Sequence, residues 1–196
     1  MDEKLLKEKL FEAVKKNGLL EAKEGVNNLK KGTEPKIYKL SNKVIKMLND
    51  RITDEYYAHY LYRAAANWCS DMNYKKAAEF FNADAITELE HAQGIEKYMT
   101  DFNILPEISK TETKFTFSNL ADIIYKAYAF ELELMNSYNK NSQDVFQDDI
   151  TTFDFLQTYR QIQKDSVIEF NDLINGLNLV DKNDKFQMLY FEQTYF

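Results

Sequence analysis

Proline and glycine are nearly missing from this chain, at two and five residues in 196. That scarcity excludes a turn-rich β architecture and a long flexible linker. Cysteine occurs once, as Cys69, so no disulfide can form within the chain and nothing calls for an oxidising compartment. No stretch approaches the ~18 consecutive apolar residues of a membrane helix. The opening residues Met1-Asp2-Glu3-Lys4 lack the apolar run of a signal peptide, which makes a cytoplasmic protein the expectation. Positive charge is also in short supply. With 25 Lys and Arg against 32 Asp and Glu the net charge is −7, so neither nucleic acid nor an anionic membrane is an expected partner. Such a surface attracts cations, or serves solubility alone.

What the chain does have is aromatic bulk and helical rhythm. Thirteen tyrosines and fourteen phenylalanines supply a well-packed core, and the length suits one such core with an appendage. Residues 1–40 read as an N-terminal arm: Leu5, Leu6, Leu10, Phe11 and Val14 mark a short amphipathic helix ended by Asn17-Gly18, and Gly32-Thr33-Glu34-Pro35 breaks a second weak segment. Residues 41–196 form the main domain. Ser41 caps a helix that runs to about residue 71, and a second helix spans about 74–102. After a connector at roughly 103–116, Ser118 caps a third helix that ends near 139. A fourth covers about 153–177, with Gly176 in its last turn, and Asp184 caps a short fifth helix over 186–196. The predicted fold is all-α: a four-helix bundle with a long crossover between helices two and three and a short C-terminal helix.

Each long helix carries a polar intrusion on its apolar stripe. Glu55 keeps phase with Leu48, Ile52, Ala58 and Tyr62, and Glu88 with Phe81, Ala85, Ala92 and Ile95. His91 stands one turn from Glu88, completing a Glu-x-x-His. On the third helix Glu131 shares its face with Ile124, Ala127, Leu134 and Tyr138, whereas Glu133 sits on a polar face, so Glu131 is chosen. On the fourth, Gln163 interrupts Leu156, Tyr159, Val167 and Phe170. Two carboxylates ~4 Å apart repel by ~4 kcal/mol at an effective dielectric of 20. Three in one core therefore call for protons or cations between them. Two divalent cations would offset three carboxylates, and hard oxygens with one imidazole suit iron or manganese, with zinc also able to bind. The Glu-x-x-His alone is a weak signal. The conjunction over four helices is what carries weight.

On these residues the chain resembles the non-haem ferritins of the H or bacterial type, over about residues 41–196. The segment from Leu48 to Tyr62 resembles the first ferritin helix, Ala78-Glu79-Phe80-Phe81 through Glu88-Leu89-Glu90-His91-Ala92 the second, and Leu156-Gln157-Thr158-Tyr159 with Gln163 the fourth. The resemblance implies a ferroxidase that oxidises iron(II) with dioxygen or peroxide and stores the ferric mineral in a 24-subunit homo-oligomeric cage. It implies two irons per subunit. Glu55, Glu88 and His91 would bind one, Glu88 would bridge to the second, and Glu131 with Gln163 would hold that second ion. Tyr62 would supply an electron or hydrogen-bond a carboxylate, or else simply pack in the core. The alternative is a ferritin-like protein that binds metal or forms a shell without fast oxidation.

Departures from the family pattern set further expectations. Gln163-Lys164-Asp165-Ser166 fills the place of a second Glu-x-x-His, so the symmetric bacterioferritin centre is not expected. Leu89 stands where bacterioferritins place a haem-ligating Met, so no haem is expected. Thr87 and Ile162 occupy two positions where some bacterial ferritins carry acids for a third iron. His59 lies outside the ligand pattern and is read as a surface or interface histidine, and Cys69 as a buried small hydrophobe. Asp148, Asp149 and Asp154 are read first as acids serving a helix N-terminus and second as the rim of an iron channel.

Overall fold

Short polar side chains that satisfy orphan backbone amides set where the helices of this protein begin. A computed structural model describes residues 37–196, and the expectations for the arm at residues 1–36 lie outside that range. Helix α1 spans Asn42–Asp71, with Ser41 Oγ accepting from the Val44 amide at 3.2 Å as expected. Helix α2, Lys75–Asp101, has no cap of its own from Tyr74. Its first amides are instead satisfied from far along the chain: Glu192 Oε1 accepts from the amides of Lys76 at 2.6 Å and Ala77 at 3.2 Å. Helix α3, Leu120–Val145, is capped by Asn119 rather than Ser118. Asn119 Oδ1 accepts from the Asp122 amide and Asp122 returns the bond to the Ser118 amide, a reciprocal lock that fixes the start one residue later than the sequence suggested.

Helix α4, Ile150–Leu177, starts one turn earlier than predicted because Asp149 takes the cap, accepting from the Thr152 amide at 2.9 Å. Helix α3 runs six residues past the predicted end at 139. Its polar tail still buries Ser142 and Val145 in register with Leu134 and Tyr138, so tertiary burial outweighs local polarity. Asp184 caps α5, Lys185–Tyr195, as expected, through the amides of Phe186 and Gln187. Asn73 and Asn103 follow α1 and α2 in the left-handed region (φ 63° and 58°), a conformation that asparagine tolerates better than most residues.

The short links 72–74 and 146–149 fold α1 back on α2 and α3 back on α4. The two hairpins meet where α1 packs on α3, and α5 lies against α2 and α4. Two apolar clusters fill the bundle. One gathers Leu61, Tyr62, Phe81, Phe170 and Phe191; the other Leu48, Ile52, Ile95, Tyr138 and Leu156. Burying each such side chain contributes about 1.5–3 kcal/mol. Gly176 has a packing role beyond its place near a helix end: a Cβ there would stand 2.6 Å from the Tyr195 ring, so only glycine lets α5 lie this close to α4. Among the described residues no helix is long and apolar enough to cross a membrane.

Candidate metal centre

Between the two apolar clusters lies a polar core. Glu55 on α1, Glu131 on α3 and Gln163 on α4 are fully buried, and Glu88 on α2 nearly so. The donor atoms of Glu55, Glu88 and His91 all fall within 4.8 Å of one another. His91 Nδ1 lies 3.0 Å from Glu88 Oε2 and 3.8 Å from Glu55 Oε2. Of the two acids weighed on α3, Glu131 is buried and Glu133 exposed.

The electrostatics of this core are those of a site lacking positive charge. Burial, then the charge of Glu131, pushes the Glu88 carboxyl up to about 8. Burial likewise raises Glu131 to about 8, with Glu55 adding to the rise and the Tyr62 hydroxyl opposing it. Glu55 is raised well above the usual carboxylate range by burial and then by Glu88. Several polar atoms are left over: Glu55 Oε2, Glu131 Oε2 and both amide atoms of Gln163 are buried without a hydrogen-bond partner. Gln163 stands near enough to Glu131 to favour its ionised form, but not in good bonding geometry. Buried oxygens without hydrogen bonds on three helices, an imidazole beside them and a deficit of positive charge fit the binding of divalent cations.

Tyrosines hold the core in place. Tyr62 donates to Glu131 Oε1, and Tyr138 donates to Glu55 Oε1. Tyr159 Oη donates to the His91 carbonyl at 2.9 Å, anchoring the turn that carries the imidazole. A groove of about 710 Å³ opens beside the core between α2 and α4, lined by Glu88, His91 and Glu131 and further out by Asp84, Asp165 and Glu169. Burial and then the charge of Glu169 push Asp84 up to about 7.

Sequence reasoning missed Tyr138, Tyr159 and Asp84. Tyr138 follows Glu131 by seven residues, the same spacing as Glu55 and Tyr62, and Asp84 precedes Glu88 by one turn, so both signals were present. His59, read from the sequence as a surface or interface histidine, does not lie on the surface. Only 8% of it is exposed, and its Nδ1 faces the Ala85 carbonyl, tying α1 to α2 away from the core. Cys69 is buried as expected, and burial pushes its thiol up to about 12, which leaves it inert. Asp149 serves as the α4 cap, whereas Asp148 and Asp154 are exposed. Thr87 is exposed and Ile162 half-buried, and both line the outer groove.

The family model described as Ferritin-like domain matches residues 45–180. The chain belongs to the ferritin family. Among curated relatives, a protein named bacterial non-heme ferritin from Escherichia coli O157:H7 is 30% identical over 154 residues, covering 78% of this chain and 92% of the relative. Another of the same name from Campylobacter jejuni is 30% identical over 148 residues, covering 74% and 87%. Solved structures agree on the fold. An open pore ferritin from the hyperthermophilic archaeon Archaeoglobus fulgidus aligns with a TM-score of 0.71 at 20% identity, covering 81% of this chain and 98% of that one. The ferritin of Chlorobium tepidum aligns with a TM-score of 0.70 at 23% identity, covering 78% and 93%. Ferritin-family membership accounts for residues 45–180, and the polar core lies wholly inside them.

Proposed function

We propose that this ferritin-family chain takes up iron(II) as substrate, oxidises it at the buried core, and stores the ferric product inside a homo-oligomeric shell in the cytoplasm. The observation that supports the reading best is the convergence of Glu55, Glu88 and His91 within 4.8 Å, with unpartnered buried oxygens on Glu55 and Glu131. Glu55, Glu88 and His91 hold the first iron. Glu88 bridges to the second, which Glu131 holds with Gln163 beside it. Each iron(II) gives up one electron to dioxygen or peroxide. The chain's own part is to bind and orient. Tyr62 fixes the carboxylate of Glu131, Tyr159 fixes the backbone of His91, and the two apolar clusters flank the core. The groove between α2 and α4, with its rim of Asp84, Asp165 and Glu169, attracts cations towards the core and gives iron a route to it.

The relatives named non-heme ferritin support the storage reading and the absence of haem, and family likeness supports a shell of 24 subunits. Oxygen uptake on adding iron(II) under air tests the enzymatic part. The parent protein is expected to consume oxygen rapidly, and Glu88→Ala and His91→Ala to lose the fast phase while keeping their helical circular dichroism. Oxidation at the parent rate in both variants refutes the assignment. A parent that binds iron(II) but consumes no oxygen leaves a sequestering ferritin without fast oxidation.

A further inference from the structure

Helices α1 and α3 each carry a buried glutamate followed seven residues later by a buried tyrosine: Glu55 with Tyr62, and Glu131 with Tyr138. Neither tyrosine serves the glutamate of its own helix. The pairs cross, so that Tyr62 reaches Glu131 Oε1 on α3 and Tyr138 reaches Glu55 Oε1 on α1. In both pairs the second carboxylate oxygen, Oε2, is buried and makes no hydrogen bond, and that of Glu55 faces His91 Nδ1 at 3.8 Å. A phenol that holds one carboxylate oxygen restricts rotation of the group and so favours one direction for the other oxygen.

The two halves of this brace are supported differently. The Tyr62 ring packs on Phe81 and Phe170, with centroids 6.0 and 5.9 Å away, in the cluster towards α5. The Tyr138 ring lies in the opposite cluster, clamped on two sides. Tyr159 stacks on it at 5.4 Å with an interplanar angle of 18°, and the Arg51 guanidinium carbon stands 5.7 Å from its centroid. Arg51 is itself held by Asp54 at 2.7 Å. Tyr159 also donates to the His91 carbonyl, and a Cβ at Gly94 would stand 2.6 Å from its hydroxyl, so glycine there is what lets Tyr159 come this close. One stacked pair of rings thus reaches both Glu55 and His91.

We propose that Tyr138 is a positioning residue for the Glu55–His91 half of the centre, the counterpart of Tyr62 at Glu131, so that each of two metal ions has its own tyrosine. This rests on the reading of the core as a two-metal centre. Removing the partner of a metal-ligating side chain typically weakens metal binding about 10- to 100-fold. The crossed arrangement makes that loss selective: Tyr138→Phe weakens one ion and Tyr62→Phe the other, although both changes remove only a hydroxyl from the same core.

Cobalt(II), added to the metal-free full-length protein and followed by calorimetry and visible absorption, reads the two ions separately. The parent is expected to bind two per subunit. Tyr138→Phe should weaken one binding event about tenfold or more and change the absorption of that ion, leaving the other within about twofold; Tyr62→Phe should do the reverse. Should Tyr138→Phe fail to fold, Arg51→Met keeps the hydroxyl but unclamps the ring, and it should weaken the same single event. Unchanged binding and spectra in the variant that folds, or equal weakening of both events, overturns the role of Tyr138 while the centre itself stands. A parent that binds no cobalt overturns the two-metal centre, and the proposal with it.

Discussion

Raising the pH should weaken the metal-free protein. Glu88 and Glu131 titrate near 8 in the folded chain against 4.5 for an unburied glutamate. Between those values the folded state binds more protons than the unfolded state, so stability falls as pH rises through the window. For one group acting alone the full loss, from well below pH 4.5 to well above pH 8, is (8 − 4.5) × 1.36, or about 5 kcal/mol, of which about 3–4 kcal/mol falls between pH 5 and pH 8. Glu55 and Asp84 are shifted in the same direction and steepen the fall. For a chain of this size 1 kcal/mol moves the melting temperature by about 2–4 °C, so a drop on the order of 10 °C or more is expected between pH 5 and pH 8. Zinc(II), which cannot be oxidised, should restore the lost stability, and more of it at pH 8 than at pH 5, because at low pH protons compete for the same oxygens. Scanning calorimetry on chelator-treated protein, with and without zinc, measures both effects. Glu131→Gln should flatten the pH dependence by removing one of the groups responsible. A melting temperature that is level or rises from pH 5 to pH 8 without metal, or zinc stabilisation that is greater at pH 5, refutes the reasoning.

Other predictions concern the end of the bundle. Glu192→Ala leaves the amides of Lys76 and Ala77 unsatisfied and should lower stability by about 2–3 kcal/mol in urea, with α5 becoming sensitive to protease. An unchanged midpoint and an intact C-terminus would show that α5 docks by apolar packing alone. Gly176→Ala places a methyl against the Tyr195 ring and should cost about 1–3 kcal/mol, while leaving iron oxidation at the parent rate. Cys69 should resist iodoacetamide at pH 8 in the folded protein and react once urea has unfolded it, and rapid labelling of the native form would contradict its burial.

The bundle and most of its polar core were legible because helical phase is a local property. Glu55, Glu88, Glu131 and Gln163 each stand out as a polar residue on an apolar stripe, and the choice between Glu131 and Glu133 needed only counting along one helix. What phase conceals is partnership across helices. Tyr138 counts as apolar in a stripe, yet its hydroxyl serves Glu55, 83 residues away. Glu192 caps amides 116 and 115 residues away, which no local pattern announces. His59 went wrong for the same reason: its burial depends on the Ala85 carbonyl of the neighbouring helix. Helix α3 continues past 139 through the polar run Asn139-Lys140-Asn141 because Ser142 and Val145 still have a core to enter.

Anomalous scattering at the iron edge, from crystals soaked with iron(II) under anaerobic conditions, tests the two-metal centre most directly. Two peaks per subunit are predicted, one among Glu55, Glu88 and His91 and the other between Glu88 and Glu131, close to Gln163. No peak within bonding distance of Glu55, Glu88 and His91, with iron found only at surface carboxylates, would contradict it.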